Sequence, residues 1–109
     1  MVTGAFGWLG HKLVQRLISE KREIICLDFS KKNMKNTSKT LSGYKKLRII
    51  LGDIRESHKL VRELKGCDTV FNCAGLQHTK YTKDIYEVNR DGTAELLKAS
   101  IKEVFLSIT

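Results

Sequence analysis

The sequence has no proline, few aromatic residues (7%), and no apolar run long enough to cross a bilayer. No Pro-rich linker, low-complexity segment or internal repeat divides it, so its 109 residues read as one domain. A signal-peptide pattern is also missing, because the N-terminus leads straight into a glycine-rich turn, and the expected setting is cytoplasmic. Cysteine is sparse. Cys26, Cys67 and Cys73 show no C-x-x-C spacing and sit in or beside apolar runs, which fits free thiols in a reducing compartment better than disulfides or metal ligands. His11, His58 and His78 have no metal-ligand spacing and read as surface residues. Acidic residues are missing from 31–48, where Lys31, Lys32, Lys35, Lys39, Lys45, Lys46 and Arg48 concentrate the net charge of +8. A solvated loop is the plainest reading of that stretch; a polyanion site or a grip on a cofactor phosphate are the alternatives. Only Tyr44 interrupts the basic run, so it lacks the interleaved aromatics of a nucleic-acid platform, and no nucleic-acid partner is expected.

What the chain does have is a glycine at every third position near its start, in Val2-Thr3-Gly4-Ala5-Phe6-Gly7-Trp8-Leu9-Gly10. An apolar lead-in stops at Thr3 and a helical pattern begins near Trp8, which is the form of a strand turning tightly into a helix. The exposed N–H groups and positive dipole end of such a helix suit a phosphate or pyrophosphate. Gly4 would permit the turn, Gly7 would let phosphates approach the backbone, and Gly10 would let the helix pack closely.

Downstream, strand and helix patterns alternate. Leu9, Leu13 and Leu17, flanked by Val14 and Ile18, predict one apolar helix face over about 8–19. Continuous apolar runs at 23–28, 47–51, 69–74 and 104–108 predict strands covered on both faces. Leu60, Val61 and Leu64 mark a short helix, and Ile85, Val88, Leu96, Leu97 and Ile101 a longer one. The pattern predicts an α/β fold, a Rossmann-type doubly wound parallel sheet of about five strands, with its ligand beyond the carboxyl ends of the strands.

Those ends carry most of the special residues. Asp28 closes the second run, where a carboxylate can accept from the adenosine ribose hydroxyls and repel a 2′-phosphate, favouring NAD over NADP; a merely solvated strand-end acid is the alternative. Lys31 and Lys32 lean the other way. Asp53, after Gly52, is either a ligand contact near an adenine ring or a plain Gly-Asp turn. Small residues from Asn72 to Gly75 end the fourth run and leave room for a ring or ribose to approach the backbone. Gly92 costs the long helix about 1 kcal/mol relative to alanine, which tight packing would justify. Asn89 reads equally as a surface residue or a buried polar orienter.

Taken together, the motifs resemble those of the extended short-chain dehydrogenase/reductases. Thr3 to Gly10 looks like their T-G-x-x-G-x-x-G turn, and Gly52-Asp53-Ile54 resembles their adenine-side Gly-Asp signature. Val70 to Gly75 looks like the strand passing the nicotinamide ribose, and Asn89-Arg90-Asp91-Gly92-Thr93 resembles the N-V-x-G-T helix. The similarity covers nearly the whole chain and leans toward the 3β-hydroxysteroid dehydrogenase/isomerase-like and sugar epimerase-like branches. It implies a partial NAD(P)-binding Rossmann domain over 1–109, with Gly4, Phe6, Gly7, Trp8, Leu9, Gly10, Asp28, Asp53, Ile54, Cys73, Ala74, Gly75 and Asn89 at the cofactor. It further implies a parent reaction of hydride transfer at a secondary alcohol or ketone, with Thr109, or alternatively Ser107, as the catalytic hydroxyl. The family's Tyr-x-x-x-Lys pair, in which a lysine ammonium lowers the pKa of the tyrosine acid/base, does not occur in these residues. The substrate-binding region is also missing, so the chain alone is expected to bind cofactor without turnover. A non-catalytic dinucleotide-binding or regulatory module is the rival reading.

Overall fold

The computed structural model describes residues 1–30, 41, 43–74, 87–103 and 105–108. Five parallel strands form one sheet: β1 (Val2–Thr3), β2 (Ile24–Asp28), β3 (Leu47–Leu51), β4 (Thr69–Asn72) and β5 (Phe105–Ile108), in the spatial order β3-β2-β1-β4-β5. The chain steps outward from β1 to β3 on one side, then returns to fill the other side with β4 and β5. The strand order therefore reverses between β1 and β4, which places a crevice at their carboxyl ends.

Alternation along the strands splits the core into two layers, one on each side of the sheet. Met1, Leu27 and Val70 pack with Ile54, Leu60, Leu64, Leu96 and Ala99 on one side. Val2, Ile24 and Cys26 pack with Ala5, Phe6, Val14 and Leu41 on the other. Apolar side chains on both faces are what a doubly wound sheet requires, and each one fully buried contributes about 1.5–3 kcal/mol. The Rossmann-type fold read from the sequence is the fold observed.

Helix α1 (Trp8–Ser19) has the expected bounds and buries Val14 completely, with Leu13, Leu17 and Ile18 packed partly against the same layer. Leu9 departs from the apolar face assigned to it: it lies in the first turn of α1 and is 49% exposed. Leu97 is likewise 37% exposed. The short helix expected near Leu60 is longer and of two kinds, a 3₁₀ segment (Ile54–Leu60) running into α2 (Val61–Leu64). The later helix also has two registers. A π turn (Glu87–Gly92) precedes α3 (Thr93–Glu103), and Gly92 is buried at the junction, so the packing expected of it lies at a change of helix register. Most of the basic stretch lies outside the described residues, and Lys45, Lys46 and Arg48 at its end are exposed.

Candidate functional site

The glycine turn shows why glycine stands at two of its positions. Gly4 adopts φ +60°, and a Cβ on it would lie 2.7 Å from the carbonyl oxygen of Cys73, the residue after β4. A Cβ on Gly10 would lie 2.0 Å from the Gly4 carbonyl oxygen, which itself accepts the Gly7 N–H at 3.1 Å. Helix α1 thus rests directly on the turn that leads into it. Gly7 differs. The nearest atom to a Cβ there is 3.4 Å away, an ordinary contact, so no steric demand of the protein excludes a Cβ at this position.

Gly7 is the N-cap of α1 and brings no capping side chain; the first turn contains no acid. His11 N–H donates to the Gly7 carbonyl at 2.9 Å, which closes the first helical hydrogen bond. The N–H groups of Trp8, Leu9 and Gly10 precede that bond and face out of the helix end. Beside them, Lys12 Nζ lies 4.2 Å from the centroid of the Trp8 ring, a cation–π contact on an indole that is 77% exposed. His11, expected at the surface, is partly buried, and its Nδ1 is enclosed without a hydrogen-bond partner among the described residues.

Asp28 is buried and already at work within the fold. Its Oδ2 accepts the Phe6 N–H at 3.0 Å and its Oδ1 accepts the Ser30 N–H at 3.0 Å. The carboxylate therefore fastens the glycine turn to the end of β2, with half of its roughly four lone-pair sites left over. Asp53 also has a structural task. It caps the 3₁₀ segment by accepting the Arg55 N–H at 2.9 Å, and its Oδ2 takes Arg55 Nε at 2.9 Å and Nη2 at 2.6 Å. Burial alone would raise the Asp53 carboxyl pKa; the hydrogen bonds from the Arg55 side chain and backbone, with its charge, outweigh that and hold it below the ordinary carboxylate value. The turn reading of Asp53 is thus correct as far as it goes, and Arg55 is a residue that sequence reasoning missed.

Gly4, Asp28, Gly52, Asp53, Ile54 and Ala74 line a narrow crevice at the carboxyl ends of the strands. The structure brings these predicted residues together, although the Ile54 side chain points into the core and only its backbone is available. A larger cleft of about 600 Å³ opens at the opposite edge of the sheet, near Met1, Arg22, Lys45 and Asp68. Its one glycine turn, at Gly66, follows the end of α2 instead of opening a helix, and no helix N-terminus lines it, so size alone does not make it the site.

On the β4 side a line of hydrogen bonds runs in one direction. Ala74 N–H donates to Thr3 Oγ1 (3.3 Å), whose hydroxyl donates to Asn72 Oδ1 (2.6 Å). Asn72 Nδ2 donates to Thr93 Oγ1 (3.1 Å), whose hydroxyl donates to the Asn89 carbonyl (2.9 Å). Every donor serves the next acceptor, an arrangement in which each bond polarises its neighbour. Thr3 and Asn72 are buried, which makes these bonds obligatory for the fold. Asn89 itself is exposed. Cys73 is partly buried and its N–H donates to the Thr3 carbonyl at 3.2 Å. The Ser107 backbone pairs in β5 opposite Phe71, whereas Gly75 and Thr109 lie outside the described residues.

A doubly wound parallel sheet whose first turn is a glycine cradle at an uncapped helix N-terminus defines the Rossmann-type class of fold. Within that class, the chain belongs to the 3-beta hydroxysteroid dehydrogenase/isomerase family, whose family model matches residues 1–107. Among individual proteins, it is 29% identical over 98 residues to a sterol-4-alpha-carboxylate 3-dehydrogenase (decarboxylating) of Dictyostelium discoideum, covering 88% of this chain and 28% of that protein. Its structure resembles the dTDP-glucose 4,6-dehydratase DesIV of Streptomyces venezuelae, solved with NAD bound (TM-score 0.76, 28% identity, 93% of this chain and 35% of that one). It also shares its fold with the yeast methylglyoxal/isovaleraldehyde reductase Gre2, solved with NADPH (TM-score 0.80, 20% identity, 96% of this chain and 35% of that one). The chain spans between 28% and 32% of the length of the curated relatives it matches.

Proposed function

We propose that this chain is the nicotinamide-dinucleotide-binding part of an oxidoreductase that transfers hydride at a secondary alcohol or ketone. The observation that carries the reading is Gly7. Gly4 and Gly10 are glycine because protein atoms would collide with a side chain, whereas Gly7 has only ordinary contacts and sits where a helix offers uncapped N–H groups. An anionic ligand approaching the backbone is the remaining reason for glycine there.

In this reading the pyrophosphate rests on the N–H groups of Trp8, Leu9 and Gly10, with Phe6 and Gly7 forming the floor. The adenosine half lies toward Asp28, Asp53 and Ile54, and the other nucleoside toward Cys73, Ala74, Gly75 and Asn89. Asp28 keeps lone pairs for the ribose hydroxyls, and its charge opposes a 2′-phosphate, so NAD is preferred to NADP. The bound dinucleotide would supply or accept the hydride; Thr109 or Ser107 would orient the substrate oxygen in the parent reaction. Steroid or sugar alcohols are the substrate class suggested by the relatives' names, and a cytoplasmic setting suits the three free thiols.

No Tyr-x-x-x-Lys occurs in the sequence, so these residues hold a cofactor but offer no tyrosine–lysine pair to exchange the proton. Calorimetric titration with NAD and NADP tests the binding, and an assay with steroid and sugar alcohols tests the chemistry. Tighter binding of NAD without turnover is expected. Failure to bind either dinucleotide refutes the proposal. A binding module without any parent chemistry would bind equally well, and joining the Tyr-x-x-x-Lys and substrate regions of a relative to these residues would then give no turnover.

A further inference from the structure

The hydrogen-bonded line from Ala74 ends in an element that cofactor binding does not by itself explain, the π turn Glu87–Gly92. A π turn pairs each carbonyl with an N–H five residues on, while the α-helix that follows pairs it with one four residues on. At such a junction the backbone bonds change register, and something must hold the change in place. Thr93 is the first residue of α3, directly after the buried Gly92. Its hydroxyl donates to the carbonyl of Asn89, four residues back, and accepts from Asn72 Nδ2 on β4. One hydroxyl therefore fastens the π turn to the sheet, and does so through Asn72, which also holds the Thr3 hydroxyl at the foot of the glycine turn.

We propose that Thr93 is a positioning residue. It fixes the π turn against β4, and thereby sets the shape of the cradle where the second, non-adenine nucleoside of the dinucleotide is held. The inference rests on the dinucleotide reading and assigns a residue to one half of it. The strand order supplies the asymmetry. Asp28 at the end of β2, and Gly52 and Asp53 just after β3, lie on one side of β1, while Asn72, Ala74 and the Thr93 contact lie on the other. A dinucleotide whose pyrophosphate lies at the turn after β1 reaches both sides. A loosened π turn should weaken the grip on one half and leave the other intact.

ADP and NADH separate the halves. Thr93→Val keeps the shape of the side chain and deletes the hydroxyl, leaving Asn72 Nδ2 and the Asn89 carbonyl without this partner. The expected result is about tenfold weaker NADH binding, the loss that goes with one unmade internal hydrogen bond, with ADP affinity changed less than about twofold. Thr93→Ser, which retains the hydroxyl, should recover most of the NADH affinity. Thermal unfolding of each variant checks that the fold is kept at the titration temperature. Equal losses for ADP and NADH, or undiminished NADH binding, overturn the proposal. If Thr93→Val does not fold, the unsubstituted chain still decides: the Asn72 side-chain amide and Thr93 backbone amide signals should move with NADH and not with ADP, and equal movement, or none, refutes it. If the unsubstituted chain binds neither ligand, the dinucleotide reading falls first and takes this inference with it. Binding with an indifferent Thr93 leaves that reading standing and removes only this one.

Discussion

Replacing Gly10 by alanine sets two known quantities against each other. Alanine is the better helix former, by about 1 kcal/mol in a helix interior, so α1 in isolation would be strengthened. In the fold, the new Cβ would sit 2.0 Å from the Gly4 carbonyl oxygen and 2.8 Å from its carbon. Both are backbone atoms, so no side chain can swing aside. Separating them needs a backbone shift, which costs about 1–3 kcal/mol. The oxygen that must move also accepts the Gly7 N–H, a bond worth about 1 kcal/mol. The collision therefore outweighs the propensity gain, for a net loss of about 1–3 kcal/mol. That lowers the midpoint of thermal unfolding by at least about 4 °C in a domain of this size. NAD affinity should fall with it, since the displaced turn carries the N–H groups. Gly7→Ala supplies the contrast, because its nearest contact of 3.4 Å is ordinary. It should leave the unfolding midpoint nearly unchanged and still abolish NAD binding. Calorimetric unfolding of both variants, followed by titration, reads the two effects separately. A Gly10→Ala protein as stable as the parent, or a Gly7→Ala protein that binds NAD normally, refutes the reasoning.

Two further perturbations follow from charge and burial. Asp53→Ala removes the cap of the 3₁₀ segment and should cost about 1 kcal/mol, measured by denaturant unfolding. Because the folded Asp53 carboxyl lies below its ordinary value, its stabilisation is full above the unfolded pKa and is lost as pH falls through the folded one; Asp53→Asn should flatten that acid limb, and an unchanged limb would contradict the assignment. The Cys26 thiol is fully buried and its pKa is pushed up to about 12 by that burial, with the nearby N-terminal amine countering only in part. A thiol-reactive probe at neutral pH should label Cys26 only after unfolding, and labelling in the native state would show that β2 opens readily.

The parts legible in the sequence are those where one local period decides the structure. The spacing of Leu13, Val14 and Leu17 places α1, and the apolar runs place the strands within a residue or two at each described end. The glycine turn is legible because its spacing encodes a steric demand, seen directly at Gly4 and Gly10. Leu9 and Leu97 fit the helical period and still face solvent, since periodicity marks a face without saying how far the neighbouring layer extends. The π turn left little trace beyond Gly92, because a register change of one residue hardly alters an apolar pattern. The line from Thr3 through Asn72 to Thr93 could not be read at all: Thr3 and Asn72 are 69 residues apart and meet only because β1 lies beside β4. Asp53 shows the opposite limit. Its carboxylate caps the 3₁₀ segment and also lines the crevice, so the observed turn does not exclude the ligand contact proposed for it.

The central claim is that a dinucleotide lies across the carboxyl ends of the strands, with its pyrophosphate on the start of α1. The most direct measurement is the backbone amide spectrum of the isotope-labelled chain during titration with NAD. Saturable shifts should concentrate at Gly4 to Gly10, Asp28, Gly52 to Ile54, and Cys73 with Ala74. Shifts confined to the cleft at the opposite edge, around Arg22, Lys45 and Asp68, or an unchanged spectrum at high NAD, would contradict it.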